Sequence, residues 1–384
     1  MADSLPPFFS YSKFLKCTLF LTDECNLACG YCYVHKKNST MSIGTAQKIV
    51  DFVLSNSKKD ERIQFGFFGG EPLLEFDLIK GVTKLIRSHR SFRPYQTSIS
   101  IATNGTILSE EVFDFFVEND ITPCFSCDGP PEIHDLNRHF PDGRGSSTLV
   151  ESNIKKAISL FPILPVNAVY SPSTLQFLPD VVEYLASLGI KNIALSHDIS
   201  AKWTQKEVEM VPKIYDLIGR QFVDFYLHNK PRYINLIDAK IAAILRGGYT
   251  PYERCRMGRG ELAFSTSGKI YPCERLAGSS NPTVHCIGDI NGKTPIQRKH
   301  RPISSAAKNS ECLVCGLKKY CVNWCGCSNF FATGCYNRVG PFECASEKAA
   351  ITVASKVIHK MKDNSAIFSH HLDGTPLMNV IREV

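Results

Sequence analysis

The sequence contains no apolar run long enough to cross a bilayer as a helix. It also does not begin with a basic segment followed by an apolar one, which is the pattern of a secretory leader. No internal repeat or low-complexity tract is visible, which disfavours a repeat architecture. From these absences we expect a cytoplasmic protein with no membrane partner.

Charge is modest in amount and nearly balanced in sign. Charged residues make up 21% of the 384 residues, and the formal net charge is +7, which is typical of a globular protein. The basic runs at 35–37 and 297–301 are not interleaved with aromatic residues. A nucleic-acid platform combines basic with aromatic side chains, so we expect no nucleic-acid partner.

Cysteine, in contrast, is abundant, with 16 residues. In a reducing compartment, clustered cysteines indicate metal rather than disulfides. Cys25, Cys29 and Cys32 have three residues between the first pair and two between the second. A four-iron cluster normally takes four thiolates, so three from one loop leave one iron open to another ligand. Zinc remains an alternative, with His35 as the fourth ligand.

A second segment follows about forty residues later, where the apolar run 63–68 leads into Gly69-Gly70-Glu71-Pro72. Paired glycines lack a Cβ and so let the backbone approach a ligand closely. The alternative interpretation is an ordinary strand-to-helix turn.

Two further strand-like runs end in polar residues. One leads into Asn104, and the other leads through Ser126 into Asp128, with Arg138 ten residues farther on. Barrel enzymes place their chemistry at the carboxyl ends of parallel strands. These side chains are therefore candidates for binding a cofactor or substrate.

The first 200 residues alternate between strand-like and helix-like patterns, which predicts right-handed crossovers and a parallel sheet. Six strands fall short of the eight that close a full barrel, and a long helix over 205–228 follows. The predicted fold class is α/β, a partial (β/α)6 TIM-type barrel. The predicted strands lie at 17–21, 63–68, 98–102, 122–126, 164–170 and 191–195.

Cysteine density rises again beyond residue 250. Paired cysteines in such a region commonly bind zinc, so a zinc ribbon is one interpretation. A non-catalytic scaffold with zinc in every site is the corresponding alternative for the whole chain. The cysteines of this region are Cys255, Cys273, Cys286, Cys312, Cys315, Cys321, Cys325, Cys327, Cys335 and Cys344.

The stretch with Cys25, Cys29, Tyr31 and Cys32 resembles the cysteine signature of the radical S-adenosylmethionine (SAM) superfamily. The resemblance implies a [4Fe–4S] cluster on the three cysteines, whose open iron chelates the amino and carboxylate groups of SAM. One electron then cleaves SAM, and the resulting 5′-deoxyadenosyl radical abstracts hydrogen. The implied SAM-binding residues are Tyr31, Gly69, Gly70, Glu71, Asn104, Ser126, Asp128 and Arg138. Among these, the Gly69-Gly70-Glu71 segment would meet the methionine ammonium, Ser126 and Asp128 would contact the ribose and carboxylate region, and Arg138 would hold the carboxylate.

The cysteines after residue 250 resemble the SPASM domain, which houses auxiliary iron–sulfur clusters. The resemblance implies two auxiliary [4Fe–4S] clusters, a nearer one on Cys255, Cys273 and Cys325, and a farther one on Cys312, Cys315, Cys321 and Cys344. Relatives that mature sulfatases carry one more cysteine shortly after the first, whereas 256–262 has none. The fourth ligand of the nearer cluster is therefore open between Cys286, Cys327, Cys335 and none.

Taken together, the resemblance implies a radical SAM/SPASM maturase that takes hydrogen from a residue of a ribosomally made peptide and yields an oxidised or cross-linked product. The alternative is an anaerobic sulfatase-maturing enzyme, which forms formylglycine from Cys or Ser. Either needs a peptide or protein substrate and an external one-electron reductant of the flavodoxin or ferredoxin type. The sequence does not identify the substrate peptide, the bond that is made or the oligomeric state.

Glu274, directly after Cys273, is the candidate catalytic base, with an ion pair to Arg275 or another basic group as the alternative. The expected organisation is a barrel over 1–230, a helical bridge over 231–250, a SPASM domain over 251–350, and a C-terminal helix and tail over 351–384.

Overall fold

The computed structural model of the chain describes residues 14–228, 230–250, 255, 257–258, 260–278, 282–293, 295–296, 310–322 and 325–361. Its strands are β1 (Phe14–Thr22), β2 (Arg62–Gly69), β3 (Thr97–Thr103), β4 (Ile121–Ser126), β5 (Pro165–Tyr170), β6 (Asn192–His197), β7 (Tyr233–Ile234), β8 (Glu261–Phe264), β9 (Lys269–Tyr271) and β10 (Gly288–Asp289). Its helices are α1 (Ile43–Asn56), α2 (Phe76–Ser88), α3 (Glu110–Glu118), α4 (Pro131–His134), α5 (Ser147–Leu160), α6 (Leu178–Ser187), α7 (Gln205–Leu227), α8 (Asn235–Leu245), α9 (Glu274–Ala277), α10 (Ser310–Leu313), α11 (Gly326–Thr333) and α12 (Pro341–Lys360).

The chain divides into two compact units that are each discontinuous in sequence. The first unit consists of Met1–Cys124, Arg138–Arg144 and Arg256–Ser304. The second consists of Phe125–Asn137, Gly145–Cys255 and Ser305–Val384. The predicted domain boundaries stay a prediction.

The sheet of the first unit has the strand order β10-β9-β8-β1-β2-β3. Strands β8, β1, β2 and β3 run parallel, and β9 and β10 extend this sheet in antiparallel fashion. Along β1, Leu15 and Cys17 on one face are fully buried, whereas Lys16 on the other face is partly exposed. The period of two arises because successive side chains of a strand point to opposite faces.

Helices α1 and α2 show why these segments fold as they do. The apolar residues Ala46, Ile49, Val50 and Val53 are buried at helical spacing in α1, and Ser42 caps the helix by accepting a hydrogen bond from the Thr45 backbone N–H. Such a stripe is stable only when it packs against other apolar surface. The two helices contact each other on the first unit.

The second unit has the parallel strands β5, β6 and β7, with the end of β4 paired to β5. Its long helix α12 packs against α7 and α8. The Tyr215 hydroxyl of α7 bridges the Tyr170 hydroxyl at 2.8 Å and Ser346 Oγ on α12 at 2.7 Å. This bridge fixes the helix that carries Cys344.

The six predicted strands are present as β1 to β6, and the predicted helix over 205–228 is α7. The predicted bridge contains the short strand β7 and helix α8. The part of the predicted helix and tail after residue 361 and the basic run at 297–301 lie outside the described residues. In the described residues, no helix is both long enough and apolar enough to span a membrane.

Candidate functional site

The loop with Cys25, Cys29 and Cys32 follows β1 in the first unit and is held by its own backbone. The Cys32 N–H donates to the Cys29 carbonyl at 3.2 Å, and the Leu27 N–H donates to Cys25 Sγ at 3.4 Å. Burial raises the pKa of the Cys25 thiol to about 11. A hydrogen bond to sulfur is one of the features that tune iron–sulfur clusters.

Asn104, at the end of β3, joins that loop to the sheet. Its Nδ2 lies 3.8 Å from Cys25 Sγ and donates to Asn26 Oδ1 at 2.8 Å. Asn26 in turn donates to Thr106 Oγ1 at 2.8 Å, and the Thr106 N–H donates to Asn104 Oδ1 at 2.9 Å. Sequence reasoning missed Asn26 and Thr106, although Asn26 directly follows the first cysteine. The network holds Cys25 against a strand end.

Glu71 is completely buried and binds the ends of two neighbouring segments. Its Oε1 accepts from the Leu73 N–H at 3.1 Å and from Thr103 Oγ1 at 2.8 Å, and its Oε2 accepts from the Asn104 N–H at 2.7 Å. Burial raises the pKa of Glu71 to about 7, although these hydrogen bonds oppose the shift. Glu71 therefore organises the strand ends around the cysteine loop, and its contact with SAM stays a prediction.

The raised pKa of Glu71 predicts a pH-dependent stability. Because the folded-state pKa lies above the ordinary value of 4.5, the contribution of this carboxyl is complete below that value and is lost as the pH rises through about 7. The loss amounts to about 3 kcal/mol. We expect the thermal midpoint of anaerobic, cluster-loaded wild type to fall relative to Glu71→Gln between pH 5 and pH 8. A constant difference between the two proteins would contradict this.

Gly69 and Gly70 are required where the end of β2 approaches the residues after β1. The Gly70 N–H donates to the Thr22 carbonyl at 2.8 Å. A Cβ on Gly70 would lie 1.9 Å from the Glu24 carbonyl oxygen, and one on Gly69, whose φ is +137°, would lie 2.1 Å from that of Thr22. The glycines therefore have a packing reason within the chain. Their contact with SAM stays a prediction.

Tyr31 and Arg138 lie together in the first unit. The Arg138 guanidinium stands over the Tyr31 ring, 5.3 Å from its centroid, and Arg138 is only 6% exposed. A cation over an aromatic face is attracted by the ring. The contact brings together two residues that the sequence places more than a hundred positions apart.

Ser126 and Asp128 belong to the second unit. Ser126 pairs with Asn167 in the β4–β5 register. Asp128 is buried, and its Oδ1 accepts from the Val169 N–H at 2.9 Å. Its backbone N–H donates to His134 Nδ1 at 3.3 Å. Asp128 thus fastens the end of β4 to β5, and the predicted contacts of both residues with SAM stay predictions.

Glu274, the candidate base, begins α9 and faces β1. Its Oε2 accepts from Lys16 Nζ at 2.9 Å and from Thr18 Oγ1 at 3.0 Å. Burial alone would raise the pKa of Glu274, but Lys16, helped by Thr18, holds it below its ordinary value. The ion pair that the sequence offered as an alternative is therefore present, with Lys16 as the partner. Sequence reasoning missed Lys16 and Thr18, because nothing local to Glu274 points to β1.

Three cysteines of the predicted farther cluster lie near one another in the second unit. Burial and the neighbouring thiols of Cys344 and Cys315 raise the pKa of Cys312, and burial and Cys315 raise the pKa of Cys344. The segment after Cys321 is fixed to α12. There, Glu347 Oε2 accepts from the Val322 N–H and from the buried Lys240 Nζ, both at 2.7 Å.

Of the cysteines predicted for the nearer cluster, Cys273 belongs to the first unit, whereas Cys255 and Cys325 belong to the second. Within the second unit, the thiols of Cys325 and Cys327 are 3.2 Å apart. In the first, the Cys286 thiol donates to the Gly288 carbonyl at 3.1 Å and packs against an apolar cluster. Among the candidate fourth ligands, Cys327 therefore lies beside Cys325.

The donor set fits iron–sulfur chemistry, because thiolates are the ligands of such clusters. Within the part of the chain that the structure describes, no three Cys, His, Asp or Glu side chains stand close enough to share a single metal ion. The fit of Cys25, Cys29 and Cys32 therefore rests on their common loop and on the hydrogen bonds that Cys25 Sγ receives.

Comparison with known proteins agrees with the resemblance that the cysteine loop carries. Residues 19–170 match the model of the radical SAM superfamily. An uncharacterized protein of Methanocaldococcus jannaschii is 30% identical over 73% of this chain and 90% of its own length. A cysteine-type anaerobic sulfatase-maturating enzyme of Clostridium perfringens is 25% identical over 78% of this chain and 85% of its own length.

Among solved structures, the chain resembles native anSMEcpe with bound AdoMet and Cp18Cys peptide, with a TM-score of 0.73 and 21% identity over 91% of this chain and 99% of that one. At that identity, the resemblance shows the fold. The radical SAM domain implies SAM and an iron–sulfur cluster as cofactors. The chain is an enzyme of the radical SAM superfamily, and over most of its length it is similar to an anaerobic sulfatase-maturating enzyme.

Proposed function

We propose that this enzyme modifies a peptide or protein substrate by taking a hydrogen atom from one of its residues, giving an oxidised or cross-linked product. One observation carries the proposal: the cysteine loop 25–32 and the carboxylate of Glu274 both belong to the first unit. A SAM-cleaving loop and a candidate base in one compact unit suit hydrogen abstraction followed by removal of a proton.

The cofactors supply the radical chemistry: SAM on a [4Fe–4S] cluster, once reduced by one electron, yields a 5′-deoxyadenosyl radical. The protein's own residues orient and shield the reacting groups. Cys25, Cys29 and Cys32 would hold the cluster, with Asn104 fixing Cys25. Glu71 accepts hydrogen bonds from Thr103 and Asn104 and so holds the end of β3 beside this cysteine loop. Arg138, above Tyr31, would hold the carboxylate of SAM.

Glu274 would take the substrate proton. Its carboxylate is kept ionised by Lys16 at 2.9 Å, so the form that accepts a proton is present at neutral pH. Because Lys16 also lowers the pKa of Glu274, this carboxylate is a weaker base than an unpaired one. It is only partly buried, with 21% of the side chain exposed. Positioned acid–base groups of this kind contribute about a hundredfold or more to a rate.

The remaining partners are an external one-electron reductant and the auxiliary clusters. A reductant of the flavodoxin or ferredoxin type would supply the electron that cleaves SAM. Two auxiliary clusters, with Cys312, Cys315, Cys321 and Cys344 on the farther one, would accept an electron from the substrate or position it.

A second candidate is the maturation of a sulfatase, in which Cys or Ser becomes formylglycine. The Clostridium perfringens relative favours it, because it bears that name and matches most of both chains. The absence of a cysteine over 256–262 weighs mildly against it.

A peptide with a sulfatase motif decides between the candidates. Reduced, cluster-loaded enzyme is incubated anaerobically with SAM and the peptide, and products are analysed by mass spectrometry. The mass change of aldehyde formation would establish sulfatase maturation. Release of deoxyadenosine with an unchanged peptide would favour a different peptide substrate. Formation of neither would contradict both candidates.

A further inference from the structure

One face of the first unit's sheet carries polar side chains, although barrel interiors are usually filled by branched apolar residues. In the register of β1 with β2, Lys16 lies opposite Gln64 and Thr18 lies opposite Gly66. In the register of β2 with β3, Gly66 lies opposite Ser100. Residues two apart on a strand point the same way, so these side chains share one face. The polar floor is defined as Lys16, Thr18, Gln64, Ser100 and Glu274.

One buried atom of the polar floor, the amide oxygen Oε1 of Gln64, lacks a hydrogen-bonding partner among the described residues. Gln64 is only 8% exposed, and its Nε2 donates to Ser100 Oγ at 3.2 Å. If the amide were flipped, its NH2 group would take the position of Oε1 and would lack a partner there. A buried polar atom without a partner is costly, so a ligand that pairs with this oxygen once the Gln64 side chain turns towards it gains affinity.

A ligand can reach part of the floor. Gly66 has no side chain, and a Cβ there would be in van der Waals contact, at 3.7 Å, with both Ser100 Oγ and Thr18 Oγ1. Because Gly66 adds no side chain at this place, it does not cover these two hydroxyls. The side chains of Lys16 and Glu274 are 30% and 21% exposed, so they can be reached.

The charges of the floor select against a charged ligand. Lys16 is paired with Glu274, and Glu261 lies opposite Lys16 in the register of β1 with β8. An anionic group would face two carboxylates, and a cationic group would face the ammonium. A neutral group with a donor and an acceptor meets neither repulsion and matches the amide and the hydroxyls.

We propose that the polar floor binds an uncharged hydrogen-bonding side chain of the substrate peptide, namely Asn, Gln, Ser or Thr. The proposal rests on the proposed function, because it needs a peptide substrate. Gln64 is five residues before Gly69 on β2, which corresponds to about 16 Å of strand. An extended peptide covers that distance in about five residues. The selected residue is therefore expected within about five positions of the reacting one.

An affinity selection tests this. Cluster-loaded enzyme with SAM is exposed anaerobically to acetylated, amidated decapeptides that are random except for a central Cys, and bound peptides are sequenced by mass spectrometry. Wild type should enrich Asn, Gln, Ser or Thr at one position. Gln64→Leu should reduce that enrichment at least about tenfold, because it removes the hydrogen bond. Gln205→Leu, at an exposed position of α7, should select as wild type does.

Three results would overturn the proposal: enrichment of a charged or apolar residue, no enrichment at any position, or unchanged enrichment in Gln64→Leu. If Gln64→Leu loses its iron, Ser100→Ala replaces it, with the same expected direction of change. Failure of the proposed function has a different signature. If the proposed function is wrong, no library peptide changes its mass when reductant is added, whichever residues the selection enriches.

Discussion

Replacing Cys25, Cys29 and Cys32 together by alanine is expected to abolish SAM cleavage. In the proposed assignment, the three thiolates would be the protein's whole contribution to the SAM-binding cluster, and none of the remaining cysteines shares their loop. Production of 5′-deoxyadenosine by the reduced, anaerobically purified variant should fall below detection. Iron and sulfide should fall by the content of one four-iron cluster while the auxiliary iron stays bound.

Cys17→Ala is the matched control for the triple variant, because Cys17 is completely buried in β1, outside the loop, and should keep both SAM cleavage and iron. Undiminished deoxyadenosine production by the triple variant would contradict the assignment of these cysteines. Anaerobic metal analysis of the wild type adds an independent check. Zinc without iron would support a non-catalytic scaffold instead.

Replacing Glu274 by glutamine is expected to separate peptide modification from SAM cleavage. The variant keeps the size of the side chain and can still accept from Lys16 or Thr18, but it loses the carboxylate that would take the substrate proton. Peptide modification should therefore fall by about a hundredfold or more. SAM cleavage should fall less, because hydrogen abstraction does not need that base. Both rates are measured in one assay, from the modified peptide and from deoxyadenosine.

Glu118→Gln is the control for Glu274→Gln, since Glu118 is exposed at the end of α3 and neither rate should change. Equal loss of both activities in Glu274→Gln, or loss of neither, would show that Glu274 only pairs with Lys16. Iron content distinguishes a local effect from a lost cluster, because Glu274 directly follows Cys273.

The Lys16–Glu274 pair links the proposed base to the proposed peptide site. Lys16 binds Glu274 at 2.9 Å and stands opposite Gln64 in the sheet. A peptide that places a neutral polar side chain on the polar floor would therefore come close to the base without disturbing the ion pair. Substrate choice and proton transfer would then depend on the same face of the sheet.

The sequence by itself determined the parts that depend on local spacing and periodicity. Three cysteines in eight residues predict a cluster loop, because ligands close in sequence are also close in space. The alternation of strand and helix patterns predicted β1 to β6 and α7, because hydrophobic periodicity reflects which face is buried. The Gly69-Gly70-Glu71 segment could also be recognised from the sequence, because it is a short continuous motif at the end of a predicted strand.

Only the tertiary structure decided which distant residues meet. Glu274 pairs with Lys16, 258 positions away, and Asn104 reaches Cys25 across 79 positions. Neither contact leaves a local pattern, because each depends on strand register and on how separate segments pack. The same holds for Gln64, because the register of β1, β2 and β3 places Lys16 and Ser100 beside it, and its amide oxygen has no partner among the described residues. A site whose ligands are close in sequence can be predicted from the sequence. The side chains that surround such a site and change its properties come together only through long-range packing.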